Sequence, residues 1–140
     1  MKEELEQIIE KALNDPNARQ KVVIGKVDEK LAEEARKAGF DIEGYIHDID
    51  VSGVRHAFRD HGNEKTESAR GQVPITREDI KKIPEIIEKY DTVIFPGKDR
   101  SGLNLVKYSK TMSEGTTYYV EEIRTGRKTL TSKSMYKTKK

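Results

Sequence analysis

Two of the chain's three histidines, His56 and His61, stand five residues apart in "VRHAFRDHGNEKTESARGQVPIT", residues 54–76, directly ahead of a polar run. Imidazoles are the side chains that exchange protons near neutrality, and a pair can supply the base and the acid of one reaction. A helix through "GVRHAFRDH" would place Val54, Phe58 and His61 on one stripe. His56 would lie on another face, with Asp60 four residues on to hold its ring. The two rings then point about 140° apart, so they can address one substrate only if the helix ends at or before His61. Gly62 is placed to end it by turning left-handed. The competing reading makes His61 a hydrogen-bonded core histidine.

Other chemistries have less support. With no cysteine there is no disulfide, thiolate nucleophile or Cys-based zinc site. A zinc site would need His47, His56 and His61 to converge without HExxH spacing, and neither a metal nor a cofactor is expected. Gly97 and Gly102 do not form a P-loop, and no serine sits in a nucleophile elbow. Arg55 and His61 make the R-x5-H pair of certain all-helical ribonucleases, but the strands predicted below oppose that reading.

The elements that must position these residues are legible. Leu5, Ile8, Ile9, Ala12 and Leu13 mark an amphipathic helix stopped by "NDPN". "KVVIGKV" reads as a strand, Asp28 as the N-cap of a second helix leaving at Gly39, and "IEGYIHDID", with His47, as extended chain. Gly62 to Gln72 is polar and aperiodic, a mobile flap whose Arg70 would touch a phosphate. Thr76 caps a helix with Asp79, and Ile75 staples onto Ile80. Pro84 kinks that helix or restarts it.

From Asp91 on, four β-branched and aromatic runs with hairpin-length breaks predict an antiparallel meander. Pleat alternation puts Lys107 with Leu105 on one face, either as an edge-strand guard or as a positioned cation. In the last strand Ser132, Ser134 and Tyr136 share one face, and Thr129, Thr131, Lys133 and Met135 the other. The fold expected is α+β: N-terminal helices on a four-stranded antiparallel sheet, with a short extra strand-helix element near the N-terminus. It forms one domain over 1–140, divided into a helix (1–19), a lead-in (20–50) and a core (51–140).

Hydrophobic residues are 34% and charged residues 37%, so the core must be thin. No apolar run reaches the roughly 18 residues of a membrane span, and "MKEELEQ" lacks the layout of a signal peptide. The net charge of +2 hides a split, about −5 over residues 1–50 and +7 over 51–140. The tail from Arg127 has six basic residues and no acid, which suits either a polyanion or a frayed terminus.

In order, "RHAFRDHG", "RGQVPITREDIKKIP", "LNLVKYSK" and "LTSKSMYK" are similar to the phage-associated branch of the Barnase, EndoU, colicin and RelE-like ribonuclease superfamily, from about Lys21 to the C-terminus. Such domains sit at the end of phage head-morphogenesis proteins or in polymorphic toxins. The resemblance implies helices on a four-stranded antiparallel sheet whose open face cradles RNA, with His56, His61, Lys107 and Ser134 at active-site positions. Ser134 stands where the final motif usually has threonine, with Thr131 as fallback. Arg55, Arg70, Thr131, Lys133, Tyr136 and Lys137 are carried as substrate-binding candidates. The implied activity is a toxin-like endoribonuclease that needs no metal or cofactor. Its substrate is structured RNA, tRNA included, and its products 2′,3′-cyclic phosphate and 5′-hydroxyl ends. The alternative is a non-catalytic nucleic-acid- or capsid-binding domain of a phage structural protein. An immunity protein or a phage head protein is an expected partner and a membrane is not. The expected location is the cytoplasm of the host or target cell, or the virion.

Overall fold

Leu5, Ile8, Ile9 and Ala12 are buried along one stripe of α1, Lys2–Asn14, because that stripe packs on the helix that carries His56 and His61. The computed structural model describes residues 1–139, so Lys140, last of the basic tail, lies outside the described residues. None of its helices is long and apolar enough to cross a membrane. The remaining elements are β1 Lys21–Lys26, α2 Glu29–Lys37, β2 Ile46–Asp50, α3 Val51–His61, α4 Glu64–Ala69, β3 Gln72–Val73, α5 Arg77–Lys81, α6 Ile83–Lys89, β4 Thr92–Lys98, β5 Asn104–Met112, β6 Gly115–Arg124 and β7 Thr129–Lys139.

The four predicted strands are present as an antiparallel β4–β5–β6–β7 meander, but the sheet is larger than expected. Among the described residues the sheet has seven strands, six in the order β1-β2-β7-β6-β5-β4 and the seventh, β3, paired with β7 off that path. The lead-in adds to the sheet because β1 and β2 pair antiparallel and β2 then docks parallel on β7. Hairpin-length breaks report only sequence neighbours, and this pairing joins residues some 80 positions apart. Thr76 and Asp79 form the expected capping box. Pro84 restarts the helix, sitting in the first turn of α6.

One face of the sheet is covered by helices. Val106, Tyr108, Tyr119, Leu130 and Met135 lie there, each no more than 1% exposed. The other face is open and carries Lys107, Tyr118, Ser134 and Tyr136, all partly exposed. β7 contains a bulge: Thr131 pairs with Glu122, Ser132 with Glu121, and then Ser134 with Val120, leaving Lys133 as the extra residue. Simple alternation therefore fails in this strand. The bulge brings Thr131 to the face of Ser134 and Tyr136 and turns Ser132 toward the helices.

β7 is flanked by β2 from Thr129 to Thr131 and by β3 at Lys137 and Thr138. Between these, α3 continues the line of β2. Asp50 caps it and also donates its N–H to Ser132 Oγ at 3.3 Å. From Gly53, which sits on Ser132, to His61, which sits on Tyr136, the helix rises about 12 Å. The four strand residues beside it advance about 13 Å. Equal advance delivers His61 to the level of Tyr136. Gly53 permits the approach, since a Cβ there would lie 2.2 Å from Ser132 Oγ.

Candidate active site

His61 ends α3 with its ring 5.5 Å from that of Tyr136. Tyr136 stacks on Tyr118 at 4.8 Å and 18°, and Lys107 Nζ lies 5.0 Å from the Tyr118 centroid and 5.1 Å from that of Tyr136. His61, Tyr136 and Tyr118 form a row across the open face, from α3 over β7 to β6, and the Lys107 ammonium from β5 lies beside the two stacked rings, about equally far from both. Lys107 is thus a positioned cation on a central strand.

Behind His61 stands Glu67 of α4, which sequence reasoning missed. It is wholly buried. Its Oε2 lies 3.2 Å from His61 Nδ1, and its Oε1 accepts from Arg70 Nη1 at 3.1 Å. A carboxylate on Nδ1 puts the proton there and leaves Nε2 as the ring's free nitrogen. Arg70 also donates to the Asp60 carbonyl at 2.9 Å, and the Ile75 N–H bonds the His61 carbonyl at 2.7 Å. The segment expected to be an unstructured flap is a capped helical turn and a strand fastened by these polar contacts. With no large apolar residue in the segment, the sequence offered only a glutamate six residues after a histidine as a signal.

His56 lies one turn back and is about a third exposed. Its Nε2 lies 2.9 Å from a carboxylate oxygen of Asp60, an ion-pair contact, and its Nδ1 accepts from Arg59 Nη2 at 2.8 Å. Burial, aided by the charges of Arg59, Lys133 and His61, outweighs Asp60 and lowers its pKa below the ordinary histidine value. The ring is neutral in this arrangement. The helix does stop at His61, as sharing a substrate requires, but Gly62 has φ −101° and is not left-handed. Its glycine is needed because a Cβ would lie 2.5 Å from the Phe58 carbonyl oxygen.

Ser134 lies beside this row on the same face, between the levels of Tyr136 and Glu122. Thr131 shares the face but is buried, its hydroxyl 2.9 Å from that of Thr129. Lys133 Nζ is 3.1 Å from Asp99 and 3.8 Å from Glu122. The Ser101 hydroxyl foremost, with Glu122, the Leu103 N–H and Lys133, holds Asp99 well below the usual carboxylate range. Burial and Asp99 raise Glu122. Two candidates fall outside the cluster. Lys137 points to the helix-covered side and pairs with Asp79 at 2.8 Å. Arg55 donates to the carbonyls of Ala12, Asp15 and Ala18, closing the C-terminus of α1.

His47 is not part of any convergence with the other two histidines. It is buried on the helix-covered side with Nδ1 2.9 Å from Glu121 Oε2, and Tyr108 Oη donates to Glu121 Oε1 at 2.6 Å.

Helices cover one face of the sheet, and the other carries a lysine and two stacked tyrosines with the His61 imidazole beside them. Residues 25–140 match the model of the family described as phage-Barnase-EndoU-ColicinE5/D-RelE like nuclease3, and the chain belongs to that family. Neither a curated protein nor a solved structure matches the chain.

Proposed function

We propose that the protein is a toxin-like endoribonuclease that works without a metal on structured RNA, tRNA among its substrates, leaving 2′,3′-cyclic phosphate and 5′-hydroxyl ends. The observation that carries this reading is the grouping of His61, Tyr136, Tyr118 and Lys107 on the open sheet face. Transesterification needs a base for the 2′-hydroxyl proton, an acid for the departing 5′ oxygen, and positive charge for the phosphorane.

His56, neutral and of lowered pKa, takes the 2′-hydroxyl proton once the exposed Arg59 guanidinium leaves its Nδ1. The 2′ oxygen attacks phosphorus and the P–O5′ bond breaks. His61 enters as the imidazolium, its Nδ1–H held by Glu67, and gives its Nε2 proton to the 5′ oxygen, leaving the ring neutral with its remaining proton on Nδ1. Lys107 and the Ser134 hydroxyl meet the charge that builds on the phosphoryl oxygens, and Arg70, nearly half exposed at the rim, holds a neighbouring phosphate.

The test is incubation of total RNA with purified protein, followed by sequencing selective for cyclic-phosphate ends. Such ends should appear with the native protein and be lost with His61→Ala and Lys107→Ala. Their absence with a folded native protein that still binds RNA would leave a binding domain in place of an enzyme.

A further inference from the structure

We propose that the free face of Tyr118, with Ser109 and Thr92 as its floor and Ile94 at its flank, is a stacking subsite for one unpaired nucleobase. The enzyme would then cut structured RNA where it is locally single-stranded. This inference rests on the ribonuclease reading above and specifies its substrate.

Tyr136 covers one face of the Tyr118 ring. On the side away from Tyr136, Tyr118 is paired with Ser109, and Ser109 with Thr92. The hydroxyls of Ser109 and Thr92 are hydrogen-bonded to each other, so beyond the ring lies a low polar floor two strands wide, about 10 Å. In the adjoining row Lys107 pairs with Ile94, and Ile94 is 51% exposed. An aliphatic side chain left in water beside a ring face and a cation matches a nucleobase, which has apolar faces and a polar rim.

The position follows from Lys107. Its Nζ is 5.0 Å from the Tyr118 centroid, so a phosphate held by Lys107 brings its own nucleoside alongside that ring. In a duplex the base is stacked and paired and cannot turn onto a tyrosine, whereas in a loop it can. The rival account is that Tyr118 only steadies the Lys107 ammonium by its ring face.

The probes are fluorescent 2′-O-methyl RNA 12-mers, which resist cleavage: a mixed-sequence single strand, the same backbone without bases, and the corresponding duplex. Binding is read by anisotropy, with melting curves to check that each variant is folded. The native protein should favour the base-bearing strand over the other two by about tenfold. Tyr118→Ala should lose that factor on the base-bearing strand and nothing further on the abasic one, while Tyr118→Phe and Tyr118→Trp retain it. Equal losses on both strands would assign Tyr118 to Lys107 alone and overturn the subsite, as would indifference to the bases or no binding at all. Base-dependent binding without cleavage of total RNA would refute the ribonuclease reading and keep the subsite. Cleavage undisturbed by Tyr118→Ala would do the reverse.

Discussion

The Glu67 carboxylate, wholly buried in a helical turn of six residues, lies 3.2 Å from Nδ1 of His61. A buried carboxylate survives only when paired and hydrogen-bonded, and here both oxygens have partners. The segment after the histidines is therefore a support for His61. Replacing His61 with Ala should cost on the order of 10²-fold or more in cleavage rate. Glu67→Gln should lower kcat less than that and leave KM near native, because the amide oxygen can still accept from Arg70 while the amide NH2 facing His61 Nδ1 can no longer accept its proton. An unchanged kcat in a folded Glu67→Gln protein would detach Glu67 from the reaction.

His56 predicts a pH profile. A base must be deprotonated, so its lowered pKa places the acid limb of the rate profile below the ordinary histidine value. Arg59→Ala removes a positive charge that disfavours the imidazolium and should move the limb to higher pH. Asp60→Asn removes the carboxylate that favours it and should move the limb to lower pH. Two variants shifting in the same direction, or neither shifting, would remove His56 from the role of base.

The buried His47–Glu121 pair should make stability fall as pH rises above the ordinary histidine value. Burial works against the imidazolium, but the charge and hydrogen bond of Glu121 outweigh it, so the folded-state pKa is raised. With an unfolded value near 6.5, the folded protein binds the extra proton. The contribution is complete below that pH and is lost as pH rises through the raised folded value. His47→Gln should flatten this dependence in urea denaturation and cost about 3–5 kcal/mol by leaving Glu121 short of its partner.

Arg55→Ala should destabilise the fold by about 1–3 kcal/mol through three lost hydrogen bonds to the end of α1. RNA affinity at a temperature where the variant is folded should stay within about twofold of native, as fits a side chain occupied away from the open face. A much larger affinity loss would return Arg55 to the substrate-binding group.

Gly53→Ala should cost about 1–3 kcal/mol, since the new methyl meets Ser132 Oγ at 2.2 Å and its carbonyl oxygen at 2.9 Å. Because α3 sets the level of His61 against Tyr136, cleavage should also fall. Ser132→Ala in the same chain, which removes the nearest clashing atom, should restore part of both.

Periodicity and local chemistry decided much of this protein from the sequence. The stripe Leu5, Ile8, Ile9, Ala12 made α1, the Thr76–Asp79 box started α5, and the four β-branched runs made the meander. The motifs around His56, His61, Lys107 and Ser134 also pointed to the family. These signals sit within a turn or a strand, where side-chain spacing and backbone geometry are tied together.

What the sequence left open is non-local. The parallel docking of β2 on β7 and the burial of Glu67 under His61 depend on partners far along the chain or on polar contacts with no period. The Lys133 bulge reversed the facing of Thr131 against Ser134, because one extra residue shifts the phase of a two-residue repeat. Arg55, Lys137 and Tyr118 could not be sorted by type: tertiary packing spent the two cations on Ala12, Asp15, Ala18 and Asp79, and left the tyrosine facing the open side of the sheet beside Lys107.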